Sequence, residues 1–117
     1  MKILKKLVRI YVNELDSAIA FYEKLTNHNV DMRFEMPLKN LELASIDDLL
    51  LISGKEEDLK PFKQTKVTFL VDSVYEFKNF LENNGSTIIR EPSRVPTGKN
   101  MIVKHPDGLV AEYVEHI

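Results

Sequence analysis

An internal repeat constrains this chain more than any other feature of its sequence. Slid against itself, the sequence places Val8, Ile10, Val12, Asn13 and Leu15 on Val67, Phe69, Val71, Asp72 and Val74, each pair 59 positions apart (67 − 8). Both blocks read the same way: alternating apolar residues, a short polar residue, then an apolar stripe. Alternation with a period of two marks a strand with unlike faces, and recurrence at three and four residues marks an amphipathic helix. The repeat therefore predicts two copies of one small module in a 117-residue chain, long enough to bury a core without disulfides.

The first copy opens with a strand over 4–12. Asn13 is placed to cap a helix, with Asp16 in its first turn, and Leu15, Ala18, Ile19, Tyr22 and Leu25 form its apolar stripe. In this reading Phe21 and Tyr22 are core residues. Thr26 to Asn29 end the helix, because short polar side chains compete for its backbone hydrogen bonds. Strands are predicted over 30–36, 41–46 and 49–53, punctuated by Pro37, Asn40 and Asp47-Asp48. Residues 54–64 are charged, contain Pro61 and show no period, so they read as a linker.

The pattern then restarts with a strand over 65–71, a capping Asp72 and a stripe of Val74, Phe77, Phe80 and Leu81. Asn84-Gly85 supplies the left-handed stop that helices favour. Strands over 87–91, 99–104 and 109–114 follow, with turns at Pro92, at Pro96 with Gly98, and at Pro106-Asp107-Gly108. The expectation is one α+β domain over 1–117: a βαβββ module at 4–53, a linker at 54–64 and a second βαβββ module at 65–117.

Composition narrows the function. Sixteen basic and eighteen acidic residues give a net charge of −2, and the basic residues are scattered, which argues against nucleic acid as a partner. No cysteine is present, which removes disulfides, thiolate metal sites and thiol nucleophiles and fits a reducing cytoplasm. The longest apolar run is Ala18 to Tyr22, far below the ~18 residues of a membrane span, and the first residues lack the pattern of a signal peptide. A soluble cytoplasmic protein without a membrane partner is expected.

The stretch Val8-Arg9-Ile10-Tyr11-Val12-Asn13-Glu14-Leu15-Asp16-Ser17-Ala18-Ile19-Ala20-Phe21-Tyr22 resembles the opening of a vicinal oxygen chelate protein, the superfamily of glyoxalases, bleomycin-resistance proteins and extradiol dioxygenases. Pro106-Asp107-Gly108, followed by a strand carrying Glu112, is similar to its closing motif. The resemblance implies a curved mixed sheet with helices on the outer face, a cup inside, and a homodimer. In family enzymes the cup holds a divalent metal on His and Glu side chains. Carried over, the ligand positions correspond to Leu7, Lys66, one of Leu49 to Ile52, and Glu112. Only Glu112 offers a donor of the right kind, so a metal cofactor is disfavoured. His28 in a polar turn, His105 in the Pro106 turn and His116 near the end of the chain do not replace the missing ligands.

With helices on one face, the other face presents Leu7, Arg9, Tyr11, Lys66, Thr68 and Leu70, joined by Glu112 through the resemblance. An apolar floor with a few polar groups suits a small amphiphilic organic ligand. Lys66 could supply the charge of the absent metal and pair with Glu112, or be a strand-end lysine extending to solvent. Arg9 suits a carboxylate or phosphate, or a neighbouring acid. Tyr11 could bond a ligand or simply pack. Arg94 reads as a loop charge, and Pro96-Thr97-Gly98-Lys99 as a turn, lacking the spacing and helix of a phosphate loop. The expected function is a metal-independent binding protein for a small organic molecule. The alternative is a lyase, isomerase or dioxygenase, metal-dependent or using Glu112 as catalytic base.

Overall fold

Each half of the sequence folds in the order the repeat predicts: strand, helix, three strands. The computed structural model describes residues 1–116. The elements are β1 (Ile3–Val12), α1 (Leu15–Thr26), β2 (Met32–Met36), a 3-10 turn (Pro37–Lys39), β3 (Leu41–Ile46), β4 (Leu49–Ser53), α2 (Glu56–Leu59), β5 (Thr65–Val71), α3 (Val74–Asn83), β6 (Thr87–Val95), β7 (Gly98–Lys104) and β8 (Val110–His116). Two compact units result, residues 8–64 and residues 1–7 with 65–116.

In the unit of residues 8–64 the strand order is β2-β3-β4-β1. β1 runs parallel to β4, with Arg9 opposite Leu50 and Tyr11 opposite Ile52, while β4, β3 and β2 form an antiparallel meander. The second unit repeats this topology as β6-β7-β8-β5. β5 runs parallel to β8, with Thr68 opposite Glu112, and β8, β7 and β6 are antiparallel. Mixed sheets carrying helices give an α+β fold of two βαβββ modules.

The helices cover the faces that the alternation assigns to them. α1 buries Leu15 and Ile19 against Ala44, Ile46 and Leu51, with Ile10, Val12 and Tyr22 packed alongside. α3 buries Val74, Phe77 and Leu81 against Val71, Met101, Val103, Ala111 and Tyr113, with Val67 and Phe69 alongside. Each fully buried Leu, Ile, Val, Phe or Met side chain contributes about 1.5–3 kcal/mol on leaving water. The stripes are narrower than the sequence suggests. Phe21, Leu25, Phe80 and Val8 are exposed. Phe80 sits about 120° around the helix from Val74 at 100° per residue, on the flank of the buried stripe.

The caps fall one residue later than expected. Glu14 is the N-cap of α1, and Asn13 instead donates from Nδ2 to the Gly54 carbonyl at 3.0 Å and to Glu56 Oε1 at 3.2 Å. Ser73 caps α3, its hydroxyl accepting from the Glu76 N–H. Asp72 accepts from the Lys2 N–H at 2.8 Å, and the Asp72 N–H donates back to the Lys2 carbonyl. Glu115 of β8 accepts from the Val74 N–H at 2.9 Å, placing a carboxylate at the positive end of α3. At the other end Gly85 takes the left-handed conformation, φ 87°.

The segment 54–64 is not the featureless linker its sequence suggests. It forms α2, a single helical turn anchored by Leu59, which is almost wholly buried among charged neighbours in the sequence. β6 also runs beyond its predicted end, through Pro92 to Val95, so Arg94 lies in a strand and not in a loop. Proline is tolerated there because β6 is an edge strand whose pairing with β7 shifts register twice. Among the described residues no helix is long and apolar enough to cross a membrane.

Candidate functional site

The face of the second unit that carries no helix holds a chain of polar side chains spanning four strands. Register puts Thr68, Glu112, Ile102 and Arg90 in one row across β5, β8, β7 and β6, and Leu70, Val114 and Asn100 in the next. Thr68 Oγ1 donates to Glu112 Oε1 at 3.0 Å, and Asn100 Nδ2 donates to Glu112 Oε2 at 2.7 Å. Arg90 Nη2 donates to Asn100 Oδ1 at 2.7 Å, and Arg90 Nη1 donates to the Ser93 hydroxyl. Thr68 and Asn100 are buried, Glu112 is half-buried, and Arg90 and Ser93 are exposed. The chain thus rises from a buried floor to an accessible guanidinium. Both carboxylate oxygens of Glu112 meet neutral donors, which fixes the rotamer of the side chain.

The other sequence-predicted residues fall elsewhere. Pairing of β5 with β8 jumps from Thr65–Val110 to Val67–Ala111, leaving Lys66 as the extra residue of a bulge. Strict alternation would set Lys66 and Thr68 on one face. The bulge breaks that parity, and Lys66 is exposed and does not become an ion-pair partner of Glu112. Leu7 is buried. In the unit of residues 8–64, Arg9 Nη1 donates to Tyr11 Oη at 3.1 Å, and Tyr11 Oη donates to the Phe62 carbonyl. Arg9 and Tyr11 there share a face with Leu50, Ile52, Leu43 and Ser45, and the phenol ties down the segment that carries α2. The geometry brings Thr68 to Glu112 and Arg9 to Tyr11.

The residues present do not fit a divalent metal. The resemblance assigns ligand positions to Leu7, Lys66 and the Leu49 to Ile52 run, and register picks out Leu50 as the counterpart of Glu112. Leucine has no donor atom and an ammonium repels a cation. Among the described residues no group of three His, Cys, Asp or Glu side chains is placed to hold an ion. Two of the three histidines have partners of their own: His28 lies 3.3 Å from Asp31, and His105 lies 2.8 Å from the Tyr113 hydroxyl. Burial pushes the Tyr113 phenol up to about 12.

A recess of about 470 Å³ lies at the start of α1 in the other unit, lined by Asn13, Asp16, Arg33, Glu35, Glu42 and Ser53 among others. Arg33 fills its polar side, donating to Asp16 at 2.7 Å and to both oxygens of Glu42 at 2.7 and 3.2 Å. Donating to Glu42 and then to Asp16 raises the pKa of Arg33, and accepting from Arg33 lowers that of Glu42. The Arg33 charge is thus neutralised within the recess by Asp16 and Glu42, as in a structural ion-pair cluster.

Asn100, Arg90 and Ser93 are the residues that reading the sequence missed. A signal existed in β7, where Asn100 stands just before the apolar run Met101-Ile102-Val103, and asparagine is depleted from strand interiors.

Comparison with known proteins agrees with this architecture. The structure is similar to that of an uncharacterized hypothetical protein from Methanosarcina mazei, with 59% identity over 100% of this chain and 95% of that one and a TM-score of 0.93. It is also similar to a hypothetical protein from Bacillus halodurans C-125, at 19% identity over 94% and 91% with a TM-score of 0.74. Methylmalonyl-CoA epimerase from Mycobacterium tuberculosis has 17% identity over 98% and 89%, with a TM-score of 0.75, and shares the fold. No curated protein matches the sequence. The family model described as Glyoxalase/Bleomycin resistance protein/Dioxygenase superfamily matches residues 6–113, nearly the whole chain. With its paired modules and that match, the chain belongs to the glyoxalase/bleomycin resistance protein/dioxygenase superfamily.

Proposed function

We propose that this protein binds a small amphiphilic organic molecule on the helix-free sheet face of its second module, without a metal. The observation that supports this reading is the Thr68–Glu112–Asn100–Arg90 network itself. A buried polar network gives the fold little that apolar residues of similar volume would not. Its presence across four strands, ending at an exposed arginine and flanked by Leu70, Ile102 and Val114, is the composition of a ligand surface: apolar area for affinity, a few fixed polar groups for orientation. Of the residues that the sequence nominates, Thr68 and Glu112 line this face, and the protein works as a cytoplasmic homodimer in this reading.

A second reading follows from the likeness to epimerases, one of which is described in complex with methylmalonyl-CoA and NH4+ at 17% identity and a TM-score of 0.70. In it the protein is an isomerase, and Glu112 moves the proton. Thermal unfolding with a library of small organic molecules and, separately, divalent metals tests the first reading. Organic ligands raise the midpoint by mass action and metals do not. A shift with a metal alone contradicts it. Solvent deuterium entering methylmalonyl-CoA in the presence of the protein, and not with Glu112→Gln, would support the second.

A further inference from the structure

We infer that Arg90 is the anion-recognition group of this surface and that the ligand it takes is an organic carboxylate; this rests on the binding reading above. Arg90 is exposed on β6, and its guanidinium is held by two neutral acceptors, Asn100 Oδ1 at 2.7 Å and the Ser93 hydroxyl. Among the described residues no acidic side chain pairs with it. The contrast with Arg33 is direct: that guanidinium is neutralised by Asp16 and Glu42. A guanidinium carries five N–H donors. At Arg90 the fold engages two of its nitrogens with uncharged groups, which orients the plane and leaves both the charge and further donors for a partner.

The chemistry selects a carboxylate. A planar fork matches a planar oxyanion in two parallel hydrogen bonds, a geometry that lysine does not reproduce. Glu112 lies only one amide away, across Asn100, so a doubly charged phosphate would meet stronger repulsion than a singly charged carboxylate. The same amide couples the two ends.

The test measures dissociation constants by NMR titration of the full chain. The probes are propionate, succinate, 2-hydroxybutyrate and benzoate, their neutral methyl esters, and methyl phosphate. The proteins are wild type, Arg90→Gln, Arg90→Lys and Arg94→Gln, the last a control on the opposite face of β6. The inference expects at least one acid to bind wild type tenfold or more tighter than its ester. That preference disappears in Arg90→Gln, survives in part in Arg90→Lys and is unchanged in Arg94→Gln. Acid and ester binding equally, or a preference that survives Arg90→Gln, overturns the inference and leaves the binding reading standing. Methyl phosphate binding more tightly than every carboxylate overturns the carboxylate class. Failure of all probes, acids and esters alike, overturns both.

Discussion

Asn100 Nδ2 donates to Glu112 Oε2 at 2.7 Å, and this bond is the middle link of the network that distinguishes the second module from the first. Asn100→Ala removes a donor from Glu112 and an acceptor from Arg90 at once. Loss of a partner to a buried or half-buried polar group costs about 1–3 kcal/mol. Urea denaturation should show a loss of that size. Paired with Thr68→Val in a double-mutant cycle, the two losses should not add, because both residues serve one carboxylate.

Lys66 is expected to matter little to the fold. Alternation in the sequence sets it beside Thr68, but the bulge in β5 leaves it exposed. Lys66→Met should change stability by no more than about 0.5 kcal/mol in urea, as for most surface substitutions. A loss of several times that would mean that Lys66 is engaged in the fold.

The pH dependence should have two limbs of opposite origin. The hydrogen bond from the Lys2 N–H holds Asp72 below the ordinary carboxylate range. Its stabilisation is present above the unfolded value, near 4, and fades as pH falls through the depressed folded value. Asp72→Asn should flatten this acid limb. Tyr113 behaves in the reverse sense: burial pushes its phenol up to about 12, so the folded state retains a proton that the unfolded chain releases near pH 10. Stability should fall between roughly pH 10 and 12, and Tyr113→Phe should lessen that fall, leaving the part that Lys78 contributes through its pairing with Glu91 and Glu82. Urea midpoints across both ranges check the pair.

Core and surface leucines should separate cleanly. Leu51 is fully buried beneath α1, whereas Leu38 is 99% exposed in the 3-10 turn. Leu51→Ala should cost about 2–5 kcal/mol, and Leu38→Ala within about 0.5 kcal/mol. Thermal and urea midpoints distinguish the two.

The sequence revealed the fold more fully than the site, for a physical reason. The 59-residue repeat records which residues face a helix, and Ile10, Val12, Val67, Phe69 and Val71 pack as the alternation requires. Burial is periodic, so it can be read from spacing. The polar network is not periodic. It joins Thr68, Arg90, Asn100 and Glu112 from four strands through register, which a single strand's pattern does not encode. The bulge at Lys66 shows the same limit, since one inserted residue reverses the parity on which a face assignment depends. Likewise Leu50 occupies in the first module the register place of Glu112 in the second, so the repeat predicts a scaffold whose chemistry lies in one half.

The most direct test of the binding account is to map a ligand by NMR. A molecule that raises the thermal midpoint is titrated into labelled protein, and shifts are followed at Thr68, Arg90, Asn100 and Glu112. The account predicts saturable shifts centred on these four residues, weakened by Asn100→Ala. Shifts confined to the recess around Asn13, Arg33 and Glu42, with the four unmoved, would contradict it.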